Sequence, residues 1–225
     1  MSKENEVVRP ILNNLGSLIF ATSLLALIWE LFVRRHFVQE ILEKVGTHQS
    51  VVESGMLVAT LDFQDIKWSK YFEKSRNLDI YFAYGRTWRG HNAQHLKKLS
   101  LQEKSIVRVI LPDVDDDNLI ANLSIRFGYT NDKTRDEILN SAKDFFEIFS
   151  GKKAKFELYY CKRDPMYSMY LFDYEGVFSM YKLKKERGNI PSFVLKEGGE
   201  LYGFLREEFN YLVDNSEFSR RVVSV

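Results

Sequence analysis

The feature that most constrains this chain is an apolar run, Ile11 to Val33, which opens just after Pro10 and stops at Arg34, Arg35 and His36. As a helix rising ~1.5 Å per residue it would reach roughly 30 Å, the usual hydrocarbon thickness of a bilayer. Trp29, Leu31 and Phe32 stand where a cleaved leader would carry small side chains, so a retained transmembrane helix is expected. Arg34 and Arg35 follow the run, whereas Lys3 and Arg9 before it are offset by Glu4 and Glu6, which places the remainder of the chain on the cytoplasmic side. Cys161 is the single cysteine, in keeping with a reducing compartment.

The run holds more polar groups than an anchor needs. Asn13, Ser17 and Ala21 share one helical face and Ser23, Ala26 and Glu30 another, with Asn14 and Thr22 beside them. A carboxylate in hydrocarbon is costly without a partner, and small or polar positions at this spacing let helices pack together or line water. Two readings stay open. Asn13, Asn14, Ser17, Ser23 and Glu30 form a packing or pore face of a homo-oligomer, or the helix is a lone anchor whose Asn13 and Glu30 reach the two interfaces.

The predicted organisation is a tail over 1–10, the transmembrane helix over 11–33, a juxtamembrane stalk helix over 34–46 and one cytoplasmic domain over 47–225. Phe37, Val38, Ile41, Leu42 and Val45 keep helical spacing in the stalk, and Gly46 is placed to end it. A net charge of +1 with opposite signs well mixed excludes the global basic field of a nucleic-acid coat, so any phosphate site must be local.

Strands are expected over Met56 to Leu61, Leu78 to Tyr84, Ile106 to Leu111, Phe156 to Cys161, Ser168 to Asp173 and Val177 to Lys182. Helices are expected over Asp62 to Ser75, Asn92 to Leu99, Asn118 to Phe127 and Lys133 to Phe149, and along the stripe Leu201, Phe204, Leu205, Phe209, Leu212. Two continuous apolar strands joined by a helix indicate a parallel β-α-β unit. The fold class that follows is α/β, a mixed sheet with helices on both faces, preceded by one transmembrane helix.

In open α/β sheets ligands sit beyond the carboxyl ends of the strands. Those ends read Tyr84-Gly85-Arg86-Thr87-Trp88-Arg89, Pro112-Asp113 and Lys162-Arg163-Asp164. The first joins a glycine for close backbone approach, two guanidinium forks and an indole, which suits a phosphate with a stackable base. The competing reading pairs Arg86 and Arg89 with Asp113 or Asp164 and packs Trp88. Asp113, Asp115, Asp116 and Asp117 read as caps for the following helix rather than as a cation site. His91 and His95 share a helical face but lack a convincing third ligand, so neither metal nor cofactor is expected. Lys184, Lys185 and Arg187 read as a solvated basic flank.

The segments "NLDIYFAYGRTW", "IVRVILPDVDDDN", "YYCKRDPMYSMYLFDYEGVFSMY" and "GELYGFLREEFNYL" together resemble one half of the phospholipase D superfamily, over Met56 to Val213. Active members carry H-x-K-x(4)-D. Aligned on Asp173, the histidine position holds Met166 and the lysine position Ser168. By that resemblance the nucleophile is lost and phosphodiesterase activity is not expected, while a phosphate-shaped pocket at the strand ends is retained.

Single-span bacterial proteins with such degenerate domains resemble membrane effectors of anti-phage defence, the Hailong type included. That resemblance implies a single-pass inner-membrane protein and an ion channel formed by a homo-oligomer, a tetramer being favoured. It also implies a nucleotide or short single-stranded oligonucleotide signal made by a partner nucleotidyltransferase. Arg86, Thr87, Arg89, Lys162 and Arg163 would then hold phosphates, and Trp88 and Tyr181 would stack bases. The alternatives are a membrane-bound phosphodiesterase or phospholipase D-like enzyme that uses His91 or His95, and a tethered scaffold.

Overall fold

The computed structural model describes residues 4–30, 40–41, 49–182 and 189–222, residues 4–13 by their backbone alone. The chain separates into two compact units, Met1–Val51 and Val52–Val225.

The first unit is dominated by helix α1 (Glu4–Ile28). Leu18, Phe20 and Leu25 are exposed on it, and the Thr22 hydroxyl donates back to the Leu18 and Ile19 carbonyls at 2.9 and 3.0 Å. The expected bilayer crossing is overturned: among the described residues no helix is long and apolar enough to cross a membrane. Asn14, Ser17, Thr22 and Ser23 interrupt the apolar side chains of α1. The expectations of a transmembrane helix, an ion channel and a single-pass inner-membrane placement fall with it. The end of the predicted span over 31–33, most of the stalk, the Asn13 side chain and the flank of Lys184, Lys185 and Arg187 lie outside the described residues.

The second unit is α/β, as the alternation of apolar runs and amphipathic stripes predicts. Its order is β1 (Met56–Thr60), a 3-10 turn (Phe63–Asp65), α2 (Trp68–Lys74), β2 (Asn77–Tyr81), α3 (Arg86–Ser100), β3 (Ile106–Pro112), α4 (Asp117–Phe127) and α5 (Asn131–Phe149). There follow β4 (Lys155–Cys161), β5 (Tyr167–Phe172), β6 (Glu175–Met180), β7 (Ser192–Lys196), α6 (Glu200–Asp214) and β8 (Ser219–Val222). Among the described residues the strands form one eight-stranded mixed sheet in the order β1-β7-β6-β5-β2-β3-β4-β8. β2, β3 and β4 run parallel, and the other pairings are antiparallel.

The period of two along each strand divides the core between two faces. Leu78, Ile80 and Phe82 join Val107, Val109, Leu111, Tyr170 and Phe172 under α2, α3, α4 and α5. Tyr81, Ile110, Tyr159, Met169 and Leu171 turn the other way, under Leu205, Phe209 and Leu212 of α6. That second face also carries a buried ion pair, the Arg108 fork on Asp79 at 2.7 Å for both bonds, with Asn210 of α6 accepting from Arg108 at 3.1 Å.

Candidate ligand-binding site

The chain leaves β2 through Phe82, Ala83 and Tyr84 and turns at Gly85, whose φ of +54° is left-handed. A Cβ there would stand 2.7 Å from the Phe82 ring, so both conformation and space demand glycine. Gly85 is also the N-cap of α3, and it offers no side chain to the first-turn amides. The first intrahelical bond is Arg89 N–H to the Gly85 carbonyl at 2.9 Å. The N–H groups of Arg86, Thr87 and Trp88 therefore emerge from the helix end, where the macrodipole adds partial positive charge.

That end opens on a cleft of about 220 Å³ lined by the first turn of α3 with Phe63, Tyr84, Phe127, Ser168, Tyr170 and Tyr181. The Tyr181 hydroxyl accepts from Ala83 N–H at 2.9 Å, and its ring meets Phe127 edge-on at 5.6 Å. Burial pushes the hydroxyls of Tyr181 and Tyr84 above the ordinary phenol range, so both stay neutral. Trp88 is 3% exposed and packs 4.5 Å from Tyr170, and its indole N–H finds no partner among the described residues. Arg86 keeps 70% of its side chain exposed. Its Nη1 lies 3.3 Å from Oε1 of the buried Glu137, which Lys133 Nζ also approaches at 2.8 Å.

The structure thus brings Arg86, Thr87, Trp88 and Tyr181 to one cleft and leaves Arg89, Lys162 and Arg163 off its lining. Arg89 sits one helical step past the mouth. It is buried, donates to the Tyr84 carbonyl at 3.0 Å and pairs with Asp144. Burial pushes its guanidinium down to about 10, still charged at neutral pH. The Arg163 guanidinium lies over the Phe218 ring at 3.8 Å, and Lys162 is exposed at the end of β4, where its backbone N–H donates to Phe218 at 2.9 Å. On α1, Asn14, Ser17 and Ser23 are exposed, as is Glu30 two residues past its end.

The neighbouring corner, from β3 into α4, is filled by its own chain. Asp116 caps α4 by accepting from Leu119 N–H at 3.0 Å. Asp113 accepts the Arg220 fork at 3.0 and 2.8 Å and Asp115 N–H at 3.1 Å. Burial alone would raise the Asp113 carboxyl, but the Arg220 fork and the Asp115 amide hold it below the ordinary carboxylate range. Asp164 is taken by Arg126 at 2.7 Å. His95 stacks on Phe72 at 5.1 Å, and among the described residues no group of His, Cys, Asp and Glu could hold a metal ion.

Three positions of the degenerate motif fall at different places along β5. Met166 is exposed just before the strand, Ser168 lines the cleft, and Asp173 ends the opposite side, accepting from Arg76 N–H, Asn77 N–H and Asn77 Nδ2 at 2.7, 3.2 and 2.7 Å. Sequence reasoning missed the Phe63 and Phe127 walls of the cleft, and Glu137 with Lys133, which meet Arg86 from α5. Gly85, directly after the apolar end of β2, was the available signal for the start of α3.

No family model and no curated protein matches this chain. Among solved structures it is similar to TrmBL2, described as an archaeal chromatin protein with a novel mode of DNA binding, at 13% identity over 95% of this chain and 70% of that one, with a TM-score of 0.41. A likeness of that size assigns neither a family nor a function.

Proposed function

We propose that the unit Val52–Val225 binds a nucleotide or short single-stranded oligonucleotide, one phosphate resting on the first turn of α3 and a base entering the aromatic cleft beside it. The observation that carries this reading is the N-terminus of α3, which its own chain leaves uncapped and which opens directly on the cleft. Free amides at a helix start, with its positive end, are a standing anion site. Arg86 is exposed enough to turn from Glu137 to a phosphate, and flat aromatic walls accept a base without demanding a particular one. In the setting that the resemblance to anti-phage effectors implies, the ligand is a signal made by a partner nucleotidyltransferase, and this unit is its sensor.

Calorimetric titration of the chain with mononucleotides, cyclic nucleotides and dinucleotides tests the reading. Saturable binding that Arg86→Glu weakens supports it; no heat with any of the three sinks it. Self-association would use α1, whose Leu18 and Leu25 are exposed. Sedimentation should show the Leu18→Glu/Leu25→Glu chain as a smaller species than the wild type.

A further inference from the structure

A larger cleft, about 410 Å³, opens at the other end of the sheet, where β5 and β7 finish and β1 and β6 begin. Phe172 forms its apolar floor with Leu57, and the Tyr71 ring stands against Phe172 at 5.7 Å. Tyr71 is 6% exposed, yet its hydroxyl bonds to no described residue although the ring lines the cleft. The hydroxyl itself is not fully buried and keeps contact with the solvent of the cleft, so it is placed to donate to a ligand there. Burial and the nearby Glu175 carboxylate push the Tyr71 hydroxyl up, so it remains a neutral donor.

The charges lining the cleft are unbalanced. Glu175 is occupied by Lys70 at 3.0 Å, while Lys74 and Lys196 form no ion pair among the described residues. The Lys196 backbone is tied to Gly55 by its N–H at 2.8 Å, which fixes where that ammonium arises. Clefts of a few hundred Å³ with an apolar floor and a few convergent polar groups are the usual form of a small-molecule site.

We propose that this cleft binds an amphipathic anion, its alkyl or aromatic body on Phe172, Leu57 and Tyr71 and its carboxylate or phosphate head between Lys74 and Lys196. The site is separate from the α3 cleft and shares no lining residue with it. An ammonium contact to a desolvated anion is a charge-assisted hydrogen bond, and two act here with the Tyr71 donor behind them.

The test is calorimetric titration of the full chain in an Arg86→Glu background, which disables the α3 site, with phenyl phosphate and separately with octanoate. The expected result is saturable binding of at least one probe, weakened about tenfold or more by Lys74→Ala/Lys196→Ala and about threefold by Tyr71→Phe. Binding of phenyl phosphate alone assigns a phosphorylated ligand, and of octanoate alone a carboxylate. The proposal is overturned by the absence of binding, by indifference to the lysine pair, or by equally tight binding of benzyl alcohol and 1-octanol.

Discussion

Two corners of the sheet share one design and end differently. β2 and β3 are neighbours, parallel, and each feeds a helix on the same face. At the second corner Asp116 caps α4 and the Arg220 fork closes over Asp113, so backbone and charge are satisfied from within. At the first, glycine replaces the capping side chain, and the Arg86 guanidinium stays mostly in solvent instead of closing the corner. On the proposed function, the helix start that the chain leaves unfilled is the one that a ligand would occupy, its anion meeting the bare amides.

The sharpest way to break the contrast is Arg86→Glu, which should lower nucleotide affinity by about 100-fold, the loss of a charge-assisted contact plus a repulsion. The melting temperature should fall only slightly, because Lys133 still faces the buried Glu137, and an equal loss of affinity from Asp116→Ala would erase the distinction. Next in size, Arg220→Ala should cost about 2 kcal/mol of stability in denaturant titration without touching affinity, because it strands a buried carboxylate. The folded Asp113 carboxyl lies below its unfolded value near ~3.9, so this contribution is full above about pH 4 and is lost as pH falls through the folded value. The gap between wild type and variant should therefore close in acid.

Asp116→Ala should cost about 1 kcal/mol by thermal melting, the ordinary value of an N-cap. Gly85→Ser at the open corner cannot recover that amount, since its Cβ meets Phe82. The smallest effect belongs to Glu137→Gln, which frees Arg86 and removes a competing negative charge. Phosphate binding should tighten by about threefold in a calorimetric competition.

How far these corners could be read in advance differs residue by residue. β2, β3 and β4 are apolar runs buried on both sides and broken by one inner charge each, Asp79, Arg108 and Glu157, and such runs announce themselves. α3 was expected from Asn92 and begins at Arg86, because Gly85 sets the cap while Gly90, open to space on its helix face, interrupts the pattern without ending the helix. That shift of one and a half turns is what carries Trp88 and Arg89 into the interior. The expected helix from Asp62 to Ser75 breaks at Ile66, whose extended backbone separates a short 3-10 turn from α2. β7 and β8 were not foreseen: each is a brief strand whose identity comes from the neighbour it pairs with. The ion pairs Arg86 to Glu137 and Arg220 to Asp113 join residues 51 and 107 positions apart, a distance over which charge patterning has no register. The bilayer reading is overturned on hydropathy, since among the described residues no helix is long and apolar enough to cross a membrane.

Asp173 carries one more consequence. It clasps the first amides of β2 from a point 97 residues downstream, and β2 itself lies between β3, made early, and β5, made late. The middle of the sheet is thus left unfinished while most of the unit is being synthesised, and a fragment stopped before Tyr167 would expose one bare edge of its central strand. Such a chain should fold as a single late event governed by a long-range closure, and no cut between α5 and β5 should yield two halves that are stable apart.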